Sequence, residues 1–320
     1  MKGIQKVSVS NRDAKFDFQL FRNITMVRGD SGTGKTTLFS MIADYTRLGE
    51  ASGVSISSTK RCVALIDTEW KNQLKGISDS IVFIDEGSDY ITTEEFAKAI
   101  KRTNNYYVIF NREGLNCLPY SVEEIYEIHT SGRYHKFVKM FKSNDKHLYY
   151  SGKKPNFKKY SIILTEDSKS GYQFFEKYCE ARNEQCISAE SKSKLFDWLK
   201  NHIDENTMVI ADGAAFGSEM DKVMKLSRIQ EGNVIICLPE SFEWLILQSD
   251  VISIKRDEIQ SVLSEPSDHI DSSQYFSWEN FFHKYLVDIT KDTPFKYTKG
   301  KINKVYISDG NLEKIVAEIM

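Results

Sequence analysis

Apolar positions in this chain fall into short runs parted by polar turns, and the period of the runs changes along the sequence. Residues 4–9 and 15–21 alternate apolar and polar with period two, and residues 24–27 are continuously apolar and run into glycine. Three strands are predicted there, followed by a helix from residue 36 to about 48. Apolar runs at 62–66, 81–84 and 106–110 predict further strands, with a helical spacing over 93–102 between the last two. Short apolar strands alternating with helices imply an α/β fold whose sheet is mainly parallel and covered on both faces.

The pattern breaks between residues 133 and 160. Arg133, Lys136, Lys139, Lys142, Lys146, Lys153, Lys154, Lys158 and Lys159 are interleaved there with Tyr134, Phe137, Phe141, Tyr149, Tyr150, Phe157 and Tyr160, against the single acid Asp145. This basic aromatic stretch is read as a linker, which puts a first domain at 1–132 and a second at 161–320. Strands are expected in the second at 161–164, 185–188, 208–211 and 234–238, making a smaller α/β unit. The tail from residue 277 is expected to be mostly helical, interrupted by Pro294 and by turns at Gly300 and Gly310.

Composition narrows this picture. A chain of 320 residues exceeds most single domains, and 41% apolar with 28% charged residues suits ordinary globular units. A formal net charge of -2 gives no global bias toward nucleic acid, so any basic surface is local. Cys62, Cys117, Cys179, Cys186 and Cys237 are scattered, form no C-x-x-C pair, and read as free thiols. The start, MKGIQKVSVSNRD, has no apolar signal core and no run reaches membrane length. The expectation is a cytoplasmic protein with no membrane partner.

The sharpest chemistry is the run Gly29-Asp30-Ser31-Gly32-Thr33-Gly34-Lys35-Thr36, which fits G-x-x-x-x-G-K-[ST] between a predicted strand and a predicted helix. Glycines let successive backbone N–H groups and the helix N-terminus face phosphate oxygens. Lys35 then reaches the β and γ phosphates, Thr36 offers a hydroxyl to Mg²⁺, and Thr37 follows in the same turn. ATP or another NTP with Mg²⁺ is the expected cofactor. The apolar strand ending in Asp85-Glu86 looks like a Walker B motif, with Asp85 as metal holder and Glu86 as the group that activates water. The strand at 106–110 ends in Asn111-Arg112, of which Asn111 is taken as the polar sensor of the γ-phosphate. Asp67 and Glu69, at another strand end, are read as lining the crevice or as ordinary loop acids.

Paired strands ahead of the glycine loop, together with the Asp-Glu strand end, resemble the ATPase class that includes ABC-type and RecF-like or OLD-family ATPases. The resemblance covers roughly residues 1–130. The sequence departs from it in having no LSGGQ-like signature between Thr37 and Ile81, which speaks against an ABC-type nucleotide-sandwich dimer.

In the second unit acids follow the strands: Glu166 and Asp167, Asp212, and Glu240. Such carboxylates suit hard divalent ions used in phosphodiester cleavage, and they also occur simply because strands exit into loops. The order of elements is similar to a Toprim domain over about residues 160–250. That resemblance implies a metal-holding glutamate at Glu166 and an Asp-x-Asp beginning at Asp212 after the third strand; Glu240, as a strand-end acid, is taken as a further metal ligand. The sequence there is Asp212-Gly213-Ala214, so the second aspartate is missing, and Glu219 or Asp221 would have to compensate. Leu238-Pro239-Glu240-Ser241-Phe242-Glu243-Trp244 also resembles a glutamate-rich segment of Toprim-like proteins of phage defence.

An ATPase joined to a Toprim-like unit is the arrangement of OLD-family nucleases, and a two-gene version occurs in PARIS-type anti-phage systems. The resemblance implies NTP-controlled action on nucleic acid, with a protein partner or a homo-oligomer. The basic aromatic stretch fits strand binding by phosphate contacts and base stacking, and equally a hairpin with a lysine face. The rival reading is a nucleotide-dependent switch with a non-catalytic interaction module; a small-molecule kinase leaves the second unit without a role. The histidines form neither a metal triad nor a Ser-His-Asp set.

Overall fold

The computed structural model describes residues 1–66, 69–143, 148–149, 160–229 and 233–319. Asp67 therefore lies outside the described residues, as do Asp145, Lys146, Tyr150, Lys153, Lys154, Phe157, Lys158 and Lys159 of the basic stretch. The chain is α/β and divides into two compact units, Met1–Phe141 with Glu265–Ser277, and Lys142–Ser264 with Trp278–Met320.

The first unit begins with β1 (Gln5–Ser10), β2 (Lys15–Leu20) and β3 (Ile24–Arg28), followed by α1 (Lys35–Leu48). It continues through β4 (Ser55–Ser58), β5 (Arg61–Leu65), α2 (Trp70–Lys75), β6 (Ser80–Ile84), α3 (Glu94–Ile100), β7 (Tyr106–Phe110), β8 (Ile125–Ser131) and β9 (Tyr134–Lys139). The strands form a nine-stranded sheet in the order β4-β1-β2-β9-β8-β3-β7-β6-β5. Strands β8, β3, β7, β6 and β5 run parallel, and β3, β6 and β7 are buried along their whole length, as the continuous apolar runs require.

The sheet is mixed: among the described residues five of its strand pairings are parallel, as expected for a mainly parallel sheet, and three are antiparallel. β1 pairs antiparallel with β2 and with β4, and β8 pairs antiparallel with β9. The alternating sequences of β1 and β2 bury one face and leave the other wet, which antiparallel strands tolerate. The start of the basic aromatic stretch is not a linker. Residues 134–139 form β9, held between β8 and β2, so the first unit runs on to Phe141.

Helix α1 is amphipathic, placing Leu38, Met41 and Ile42 at i, i+3 and i+4 in the core that also holds Val27, Phe83, Val108 and Phe110. Thr93 caps α3 by accepting from the Phe96 N–H at 3.2 Å.

In the second unit β10 (Leu148–Tyr149) precedes β11 (Ile162–Thr165), α4 (Ser170–Glu180), β12 (Gln185–Ser188), α5 (Lys192–Asn201) and β13 (Thr207–Ile210). Then come α6 (Met220–Ile229), β14 (Val234–Cys237), α7 (Phe242–Gln248) and α8 (Arg256–Ser264). The sheet order is β10-β14-β13-β11-β12, parallel except for β10. The chain returns to the first unit through α9 (Pro266–His269), where the Met1 ammonium meets Asp271 Oδ1 at 3.0 Å. Helices α10 (Trp278–Thr290) and α11 (Asp309–Val316) complete the second unit, so the predicted single domain over 161–320 is interrupted.

Candidate functional site

The strand order of the first unit sets β7 between β3 and β6. The Gly29–Thr36 loop leaves the carboxyl end of β3, Asn111 and Arg112 leave that of β7, and Asp85 and Glu86 leave that of β6. Three segments far apart in sequence thus end side by side at one edge of a parallel sheet, where open α/β folds collect ligands.

Gly29, Gly32 and Gly34 have φ of 124, 84 and 103°, a region in which side chains are strained. Gly34 has a second constraint, since a Cβ there would sit 3.3 Å from His135 Nδ1. His135 is stacked on Phe16 at 4.2 Å and its Nδ1 meets Thr130 Oγ1 at 2.9 Å; burial lowers its pKa, favouring the neutral imidazole under the loop. Sequence spacing alone assigned this histidine no role, because its partners come from β2 and β8.

Lys35, only 5% exposed, turns its ammonium into the loop and donates to the carbonyls of Gly29 and, at 2.8 Å, Asp30. Glu86 Oε2 stands 3.8 Å from Lys35 Nζ, and its Oε1 pairs with Arg112 Nε. Thr36 and Thr37 are exposed in the first turn of α1, and Asp30 and Ser31 are exposed on the loop. Asp85 makes no ion pair among the described residues. Thr36 and Asp85 are oxygen donors of the kind Mg²⁺ prefers; Thr36 is exposed and Asp85 is half-buried.

Asn111, taken from the sequence as the sensor, spends its side-chain amide on the chain just after it. Its Nδ2 donates to the Glu113 carbonyl at 3.0 Å, whereas Arg112 Nη2 donates to Ser31 Oγ at 3.0 Å. The bend after β7 carries the arginine, not the asparagine, to the loop. Glu69 lies at the N-terminus of α2, where its carboxylate accepts from Asn72 Nδ2 at 3.4 Å.

The second unit has its own cleft at the carboxyl ends of β11 and β13. From β11 the chain moves to one neighbour, β12, and then returns to the other, β13, which opens a crevice between them. Glu166, Asp167, Asp212, Glu243 and Lys299 line it. Glu166 Oε2 accepts from the Asp212 N–H at 3.4 Å, and Asp212 Oδ1 accepts from the Phe242 N–H at 3.1 Å. The space inside the cleft is about 30 Å³, room for a water or two.

Burial raises the pKa of Glu166, opposed by Lys192 at 4.0 Å and reinforced by Glu279. Asp212 is raised well above the usual carboxylate range, first by burial and then by Glu279, Glu166 and Glu243. Lys299 lies among these acids and donates to Glu279 Oε1 at 2.9 Å; the carboxylates outweigh its burial and hold its pKa up. Glu243 is fully buried and accepts from Tyr297 OH at 2.9 Å.

Glu166 and Asp212 are therefore neighbours as expected, but Glu240 does not line the cleft; Glu243 of α7 does, one helical turn on. Glu219 and Asp221 do not line it either, and Glu219 instead accepts from Ser218 at 3.3 Å and from Lys222 at 3.3 Å. The place of the missing second aspartate is Ala214, 2% exposed, its N–H donating to the Glu240 carbonyl at 3.2 Å. Among the described residues no group of three or more His, Cys, Asp or Glu is placed to hold a metal ion, so the three-carboxylate metal set is not formed.

No protein-family model, no curated protein and no solved structure matches this chain. No helix among the described residues is long and apolar enough to cross a membrane.

Proposed function

We propose that the first unit binds and hydrolyses a nucleoside triphosphate, ATP in practice, with Mg²⁺, and that its nucleotide state controls a Toprim-like second unit acting on nucleic acid in anti-phage defence. The observation that carries this reading is the buried ammonium of Lys35 inside a positive-φ glycine loop, with Asp85 and Glu86 ending the strand one place beyond β7. Backbone N–H groups of residues 29–36 and Lys35 would hold the phosphates. Thr36 and Asp85 would hold Mg²⁺, which would neutralise phosphate charge, and Glu86 would orient the attacking water and accept its proton.

Turnover of each common triphosphate by the wild type and by Glu86→Gln tests this. Hydrolysis is expected to fall on the order of 100-fold in the variant with nucleotide binding retained, the usual size of a lost general base. Equal turnover in the two proteins removes Glu86 from the reaction.

A second reading has its own support: the second unit is a non-nucleolytic interaction module. Ala214 is buried where a second metal-binding aspartate would stand, and Lys299 supplies a positive charge to the same acids. Mn²⁺-dependent nicking of plasmid DNA and of tRNA decides between the two. Nicking that disappears in both Glu166→Ala and Asp212→Ala supports the nuclease. Intact substrates, with no Mn²⁺ binding heat attributable to these acids, support the switch.

A further inference from the structure

Glu86 and Arg112 hold each other in a geometry that neither residue's role in hydrolysis explains. Arg112 Nε is paired with Glu86 Oε1, and Arg112 Nη2 reaches Ser31 Oγ at 3.0 Å, so one guanidinium ties the glycine loop to the residue that would activate water. The other Glu86 oxygen, Oε2, lies 3.8 Å from Lys35 Nζ. Both carboxylate oxygens thus face cations. The Arg112 backbone is fixed from below: its carbonyl accepts from Nε and Nη2 of Arg28 at 3.3 and 3.1 Å, and Arg28 is buried. Its side chain is 61% exposed and that of Glu86 29%.

Those exposures decide how strong the tie is. An ion pair this wet contributes little and exchanges readily. A guanidinium prefers a phosphate, whose oxygens match its planar fork and carry more charge than a carboxylate. Lys35 would reach the β and γ phosphates from inside the loop, and Arg112, which reaches Ser31 from the neighbouring strand β7, would meet the outermost of them from the loop's other side.

We propose that Arg112 recognises the terminal phosphate of a bound triphosphate, and that its ion pair with Glu86 is a latch opened by that phosphate and left closed by a diphosphate. This rests on the nucleotide reading of the Gly29–Thr36 loop and adds its regulation: water activation becomes available only once the third phosphate has taken the arginine away. Asn111 has no part in it.

Calorimetry with Mg²⁺ and either a non-hydrolysable ATP analogue or ADP tests the proposal on the full chain. In Arg112→Ala the preference for the triphosphate over ADP is expected to fall about 10-fold or more, the size of one charge-assisted phosphate contact, with ADP affinity within about 2-fold of wild type. Arg112→Lys is expected to recover part of the preference. Glu86→Gln is expected to bind the triphosphate more tightly than wild type, because both cations are released. An unchanged preference in Arg112→Ala, or an equal loss for both nucleotides, overturns the assignment to Arg112; no gain in Glu86→Gln overturns the latch. Wild-type protein that binds neither nucleotide overturns the site itself, a result distinct from these.

Discussion

Lys35→Ala is expected to lose the binding heat of every triphosphate, with affinity down at least about 100-fold, or about 2.7 kcal/mol. Two effects add. The ammonium is a cation buried inside the loop, and charge-assisted bonds to phosphate are the stronger class of hydrogen bond. It is also an internal peg, since its bonds to the Gly29 and Asp30 carbonyls hold the loop's curvature. Calorimetry of the purified variant, with circular dichroism to verify folding, reads the result. Heats indistinguishable from wild type with all four common triphosphates would mean that the loop is only a turn, and the proposed hydrolysis would go with it.

Gly213→Ala is expected to be the most damaging small substitution in the second unit. A Cβ on Gly213 would stand 2.6 Å from the Leu238 carbonyl oxygen and 2.9 Å from that of Pro239. Both obstacles are backbone, and the Gly213 N–H is already bonded to the Pro239 carbonyl at 2.7 Å. The exits of β13 and β14 would have to separate, carrying Asp212 with them. We expect a loss of about 3 kcal/mol, at the upper end for an overpacked site, and roughly 8 °C in the midpoint for a unit of this size. Gly171→Ala is the control. Its Cβ would meet Asp167 Oδ1 at 3.1 Å, an oxygen that also accepts from the Tyr172 N–H at 3.1 Å, so some cost is expected; the obstacle is a side chain and not backbone, and alanine regains up to about 1 kcal/mol in a helix, so the loss is expected to be smaller than at Gly213. Urea melts of both variants check the pair; equal midpoints would show that the β13 and β14 exits yield without cost.

Much of the fold was legible because burial period is a local property. The continuous runs of β3, β6 and β7 and the alternation of β1 and β2 gave their positions to within a residue or two. Pairing partners were not legible. Nothing in residues 134–139 says that they lie between β8 and β2, so the linker reading failed there while the alternative of a hairpin with a lysine face held for β8 and β9. The short polar strand β4 carried no apolar run to announce it.

The site divides along the same line. The residues of the Gly29–Thr36 loop are contiguous, so their spacing alone specifies glycine conformations, a lysine and a hydroxyl in one turn. Asp85 and Glu86 are adjacent at a strand end and were equally plain. Whether Asn111 or Arg112 faces the loop depends on the bend after β7, which local spacing does not encode. In the second unit the sequence supplied Glu166 and Asp212 as the ends of two strands, but Glu243 replaced Glu240 at the cleft, from the first turn of α7. Lys299 and Glu279 arrive from a segment that first leaves for the other unit. Periodicity and contiguous motifs fix what a stretch of chain does by itself; which distant charges share one dielectric pocket is fixed only when packing brings them there.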